Sequence, residues 1–195
     1  MTSPSTRERI VSAADALFYA SGYDHTSFAT IADAVGLSRG NFYHHFKSKD
    51  EILSAVIDRR TAQTRAMLDA WAASAASPRE RLVRFADMMV MNSAAIRRHG
   101  CPVGTLCAEL AKLEHPALPQ AGGLFQLFRQ WLAEQMRALN FSPSEADRHA
   151  MHLLARSQGI AVLANAFDDN DFILEEVAQL HRWIHGLRAP RAKKS

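Results

Sequence analysis

Residues 35–53 read VGLSRGNFYHHFKSKDEIL, a run that sets a turn glycine, two capping serines and several cations around three apolar anchors. Gly36 can take the positive φ that ends a helix, and Leu37 can tuck between that helix and the next. Ser38 stands as N-cap before RGNFYHHF, and Ser27 or Thr26 does the same before FATIADAV. Two short helices near 27–34 and 38–45, joined by Gly36 and Leu37, have the length and spacing of a helix-turn-helix.

With Phe42 inward, a helical wheel puts Phe46 beside it, Gly40 and His44 almost opposite, and Asn41 and Tyr43 on the flanks. The outward face is small, polar and aromatic. A glycine inside a helix costs about 1 kcal/mol against alanine, which makes sense where the backbone must approach another surface closely. DNA is such a surface. Arg39, Asn41 and His44 are then candidates for base edges, because arginine reads guanine and asparagine reads adenine in the major groove. Tyr43 and Lys49, with helix amides near Thr26 and Ser27, would hold phosphates and set the register. The expected DNA-facing set is Thr26, Ser27, Ser38, Arg39, Gly40, Asn41, Tyr43, His44 and Lys49. Local charge agrees: between residues 27 and 49, Arg39, Lys47 and Lys49 meet one acid, Asp33. The plainer alternative is a core aromatic pair with solvated histidines and ordinary surface lysines.

The same residues carry a likeness. Thr30-Ile31-Ala32, Gly36-Leu37-Ser38, Gly40, Phe42-Tyr43-His44-His45-Phe46, Ser48-Lys49-Asp50 and Leu53 resemble the N-terminal signature of the TetR family of bacterial transcriptional regulators, in order and without gaps. The likeness covers about residues 8–55; beyond it the chain resembles the family in length and helical plan. It implies a homodimeric repressor of nine or ten helices that binds a double-stranded DNA operator, with an inducer pocket in the C-terminal part.

Composition narrows the alternatives. The 195 residues are 48% hydrophobic, enough for one large domain or two small ones. No run reaches the length of a membrane span, and MTSPSTRER lacks an apolar leader, so a cytoplasmic protein without a membrane partner is expected. The formal charge is +3, but Arg188, Arg191, Lys193 and Lys194 supply four positive charges in the last eight residues, leaving −1 for the rest. Global basicity is therefore no argument for nucleic acid. The two cysteines, Cys101 and Cys107, fit a reducing compartment.

Four Ser-x-x-Glu capping boxes, Ser5/Glu8, Ser48/Glu51, Ser77/Glu80 and Ser142/Glu145, mark helix starts, two with proline at the first helical position, Pro78 and Pro143. Between caps the apolar period is helical, as in Ile10, Ala13, Ala14, Leu17 and Phe18, and no segment alternates as a strand would. An all-α fold of about nine helices is expected, near 6–21, 27–34, 38–45, 49–75, 78–98, 102–113, 117–139, 143–167 and 171–187. The expected domains are a DNA-binding domain over 1–48, a ligand-binding and dimerisation domain over 49–187, and a basic tail over 188–195.

Ala155, Gly159, Val162 and Ala166 recur at helical spacing as a stripe of small residues that would let a partner helix come close. With Leu180, Trp183 and Ile184 they form the expected dimer seam; the alternative is packing within one protomer. For the pocket of an unknown small-molecule inducer the candidates are Phe85, Met88, Met89, Phe125, Phe128 and Trp131 as walls, with Asn92, Cys101, His152 and Arg156 among them. If Pro102 opens a helix, Cys101 sits at its N-cap behind Arg97, Arg98 and His99, where a thiolate is favoured. Cys101 is thus a candidate reactive thiol, against the alternative of an inert packed residue. No cofactor is expected. Metal signatures are absent: there is no Cys-x-x-Cys or His-Glu-x-x-His, and His149 with His152 or Glu145 makes a two-ligand start at most. The rival classes are a thiol-dependent helical enzyme and a protein-interaction module with a structural helix-turn-helix.

Overall fold

The structure, a computed structural model, describes residues 4–189; within them the side chain of Arg39 is left undescribed, and Arg191, Lys193 and Lys194 of the expected basic tail lie outside the described residues. Among the described residues the chain is all-α. Its helices are α1 (Thr6–Ser21), α2 (Phe28–Ala34), α3 (Arg39–His45), α4 (Lys49–Ser74), α5 (Pro78–Met91), α6 (Ser93–His99), α7 (Pro102–Lys112), α8 (Leu118–Ala138), α9 (Pro143–Phe167) and α10 (Asn170–Gly186).

That is one helix more than expected, because 78–98 is two helices. The break is at Asn92, whose side-chain amide donates to Met88 O at 2.7 Å, the carbonyl that its own N–H also uses. An asparagine that folds back on the preceding turn competes with the helix ladder, and Ile96 N–H then restarts the ladder on Asn92 O at 2.9 Å.

The four capping boxes fall into two kinds. Ser5/Glu8 and Ser142/Glu145 are complete, with the glutamate reaching back to the cap amide. At Ser48 and Ser77 the serine accepts from Glu51 N–H and Glu80 N–H, but each carboxylate reaches one residue further, to Lys47 N–H at 2.7 Å and Ala76 N–H at 2.9 Å. Either way a helix start gains an acceptor for a donor that the helix itself leaves bare.

Two compact units emerge, Met1–Thr64 with Pro102–Leu124, and Arg65–Cys101 with Phe125–Ser195. The first therefore takes in α7 and the beginning of α8 as well as the N-terminal helices. Arg60, almost buried, shows why: its guanidinium donates to Asp15 of α1 at 2.7 Å and to Pro102 O at the start of α7 at 2.6 Å. The apolar floor of this unit is Ile10, Ile31, Phe42, Phe46, Ile52 and Leu53, each all but sealed from solvent. Full burial of each such side chain contributes about 1.5–3 kcal/mol.

The second unit has its own core, in which Leu82, Phe85, Leu132, Leu153, Ile173 and Leu180 interlock α5, α8, α9 and α10. The C-terminal carbonyls of α10 are closed by Arg79, which donates to Ile184 O and, at 3.2 Å, to Leu187 O. A cation placed there also answers the negative end of the helix dipole.

Candidate nucleic-acid interface

The turn between α2 and α3 is a Schellman cap. Gly36 adopts φ +68°, its N–H meets Asp33 O at 3.1 Å, and Leu37 N–H meets Ala32 O at 3.1 Å. Arg9 of α1 adds a donor to Val35 O at 2.9 Å, so the end of α2 is tied to the first helix. Ser38 then caps α3 by accepting from Asn41 N–H, as Ser27 caps α2 by accepting from Thr30 N–H. Each helix has seven residues, too short to persist alone in water. Burial of Phe42 and Phe46, with the Phe28 ring edge-on to Phe42, holds them, and the Arg7 guanidinium covers the Phe46 ring at 4.7 Å.

With Phe42 and Phe46 inward, Ser38, Gly40, Asn41, Tyr43 and His44 are all exposed. A Cβ built on Gly40 would meet nothing within 4 Å. The fold itself therefore has no need of glycine there. Tyr43 is 48% exposed, yet its ring is not loose: it stacks on Phe28 at 4.8 Å and 29°, while Phe28 meets Phe42 edge-on at 4.5 Å. Phe28 was missed as a site residue because its place in the apolar stripe of α2 reads simply as core. Ser27 and Thr30 are exposed at the start of α2, their hydroxyls 2.8 Å apart.

Two members of the expected DNA-facing set are engaged within the protein itself. Thr26 is buried, its hydroxyl donates to Gly22 O at 2.7 Å and its N–H to Tyr23 O, so both its donors are used within the turn. Lys49 likewise turns inward: its ammonium donates to Tyr23 O at 3.0 Å and Asp24 O at 3.3 Å and lies 4.2 Å from the centre of the Tyr23 ring. Its work in this structure is to clamp the α1–α2 turn. Tyr23 in turn donates its hydroxyl to Asp50, and burial, with that hydrogen bond second, pushes the phenol well above its ordinary range.

The other expected sites divide. Ala155, Gly159, Val162 and Ala166 are exposed along α9, with Val162 at 64%. Leu180 and Ile184, by contrast, are fully buried in the core of their own unit, because that side of α10 packs on α5, and Trp183 lies against His149 and His152. Leu174, which the sequence offers as apolar surface on the last helix, is exposed, and Leu163 and Phe167 (71% exposed) present apolar surface that the sequence reading missed. The signal was there: α9 carries a second apolar line, Leu163 and Phe167 at i, i+4, beside the stripe of small residues.

The expected pocket residues stand in different surroundings. Phe85, Met89, Phe128 and Trp131 are core, with Met88, Phe125 and Cys101 packed against it. Asn92 is exposed and bonded to its own helix, while His152 lies on Trp183 and Arg156 pairs with Glu176 of α10. A polar pair that the sequence did not suggest lies among the core side chains: Gln135, nearly buried, accepts from Arg81 at 3.2 Å and donates to Trp131 O at 3.2 Å. Cys101 immediately precedes Pro102, the first residue of α7, as expected. No group of three or more His, Cys, Asp or Glu side chains gathers as a metal site among the described residues. Nor is any described helix long and apolar enough to cross a membrane.

Comparison with known proteins agrees with this geometry. The profile of the bacterial regulatory proteins of the tetR family matches residues 10–56, and that of the LmrA/YxaF-like transcriptional regulator C-terminal domain matches residues 78–179. An HTH-type transcriptional regulator of Lactococcus lactis subsp. lactis is 30% identical over 168 residues, covering 85% of this chain and 86% of the relative. The HTH-type transcriptional regulator LmrA of Bacillus subtilis is 25% identical over 169 residues, covering 84% and 88%. A TetR transcriptional regulator from Legionella pneumophila has the same fold, with a TM-score of 0.84 at 24% identity over 94% of this chain and 99% of that one.

Proposed function

The chain belongs to the TetR family of bacterial regulatory proteins, helix-turn-helix transcriptional regulators rather than enzymes, and from that premise we propose how it reads DNA and is released. It acts as a repressor: a homodimer that places α3 of each protomer in successive major grooves of a near-palindromic operator. Half-site centres then lie about 34–36 Å apart, or a small multiple of that. Residues 1–48 carry the DNA contacts, residues 49–187 carry the ligand and the partner, and the protein works in the cytoplasm. The carrying observation is the outward face of α3, where Gly40, Asn41, Tyr43 and His44 stand clear of the core that Phe42 and Phe46 fill.

Each part has a role in this reading. Asn41 and His44 meet base edges, and Gly40 lets the helix backbone come close. Arg39, at the first position of α3, is a further base reader by residue type. Tyr43, steadied by Phe28, donates to a phosphate, and Ser27 and Ser38 lie at the helix starts that face the backbone. The dimer forms through α9 and α10, with Ala155, Gly159, Val162 and Ala166 allowing close approach and Leu163, Phe167 and Leu174 supplying apolar area. A small apolar molecule taken up by the second unit, with Gln135 and Arg81 as polar contacts, shifts the balance away from the DNA-bound form. Modification of the partly buried Cys101 is the narrower route to the same release.

The test is fluorescence anisotropy of the full chain against duplexes from its own upstream DNA at two salt concentrations, with Tyr43→Ala as control. Tight, salt-sensitive binding to one near-palindrome, lost in the control, is the expected outcome. Weak binding indifferent to sequence and to Tyr43 overturns it. For Cys101, treatment with a thiol alkylator that modifies the residue yet leaves operator affinity unchanged removes the second route.

A further inference from the structure

The α1–α2 turn is gripped from outside the N-terminal helices. Glu109 of α7 accepts through Oε2 from Tyr23 N–H at 2.9 Å and through Oε1 from Asp24 N–H at 2.9 Å. The carboxylate comes so close that a Cβ on Gly22, itself at φ +86°, would stand 2.9 Å from its Oε1. On the carbonyl side, the Lys49 ammonium takes Tyr23 O and Asp24 O. Both residues of the turn are therefore held at both polar ends, by two side chains far from them in sequence.

The turn leads directly into the DNA-reading motif. Asp24 runs through Thr26, whose N–H and hydroxyl close back on Tyr23 O and Gly22 O, into the Ser27 cap of α2, and Phe28 then supports Tyr43. We infer that Glu109 is a positioning residue for operator binding: it touches no DNA, but fixes the turn that aims α2 and the Phe28–Tyr43 stack. The DNA-binding module thus has an essential member some sixty residues beyond the expected boundary at 48, in a helix of the same compact unit. This rests on the regulator reading proposed for the chain.

The sign of the effect separates positioning from charge. Removing an acid from a DNA-binding protein by itself tightens DNA binding, because like-charge repulsion falls. Losing the grip loosens it. In the full chain, Glu109→Ala is expected to lower operator affinity at least about tenfold, the worth of one charge-assisted hydrogen bond at the low end of its range. Glu109→Gln, which keeps one acceptor, is expected to fall between it and the parent, with the salt dependence of binding unchanged in both. Equal or tighter binding by both variants, with helix content and sedimentation as in the parent, overturns the inference. Amide hydrogen exchange supplies a readout without DNA: the Tyr23 and Asp24 amides should exchange at least about tenfold faster in Glu109→Ala and partly so in Glu109→Gln. If the parent binds no duplex, the regulator reading fails on its own. Unchanged exchange at those two amides removes the grip whatever the DNA result. Should Glu109→Ala fail to fold, Glu109→Gln decides by the same two measurements.

Discussion

The α2–α3 pair and the α9–α10 pair were both read in the sequence as surfaces for a partner, yet they are built on opposite plans. In α3 three outward positions contribute little to the fold, since Gly40 has open space around it and Asn41 and His44 face solvent, while Phe42 and Phe46 supply the buried apolar anchors. In α10, Leu180 and Ile184, expected at the seam, are part of the core, and the exposed apolar side chains lie on neighbouring lines of α9 and α10. On the proposed reading, specificity and stability are separated by residue in the first pair. In the second they share the same helices, and only the rotation of each helix tells them apart.

Substitutions test that contrast most strongly at the cores. Phe42→Ala should cost about 3–5 kcal/mol by thermal or urea unfolding and abolish operator binding, since so short a helix depends on its buried anchors. A loss below about 1 kcal/mol would mean that α3 is sustained some other way. On the α10 side, Leu180→Ala should cost about 2–5 kcal/mol of protomer stability, whereas Val162→Asp should leave helix content intact and shift sedimentation from dimer to monomer. Dissociation by Leu180→Ala without loss of stability would restore Leu180 to the seam.

Gly40→Ala sharpens the comparison at smaller scale. With nothing within 4 Å of the added methyl, the fold should be unharmed or gain up to about 1 kcal/mol from helix propensity, while operator affinity falls about tenfold. If affinity is unchanged, the backbone of α3 does not approach DNA closely. The smallest effect is one of pH. His149 is held below the usual histidine range, first by burial and then by Arg148, in a ring cluster with Phe141 and Trp183. A depressed folded-state value means that the unfolded chain binds the proton more readily. The contribution is therefore complete above the unfolded value of about 6.5 and is lost as pH falls through the folded value. Unfolding midpoints measured from about pH 8 to about pH 5 should decline slightly, and His149→Phe should flatten that slope.

How legible each region was depends on the range of the forces involved. Helix starts and the α2–α3 turn are set by residues within five positions of each other, so the Ser-x-x-Glu pairs, Gly36 and Ser38 were readable directly. The break at Asn92 is just as local, but asparagine in mid-helix is an ambiguous mark. The family likeness added the function, and the spacing alone left the solvated-surface alternative open. The inward partners of Thr26 and Lys49 were not readable, because an amide and an ammonium look available until the fold brings Gly22 O, Tyr23 O and Asp24 O to these residues. Glu109 was invisible for the same reason: its partners are two backbone amides more than eighty residues away, which leave no trace in any side-chain pattern.

The idle outer face of α3 has an evolutionary consequence. Because Gly40, Asn41 and His44 carry little of the stability, changes at these positions need not pass through unfolded intermediates. A gene copy could drift from one operator to another by single substitutions, each leaving a foldable protein, while Phe42 and Phe46 keep the scaffold in place. The region proposed to decide which genes are addressed is therefore also the one that selection can rewrite most readily.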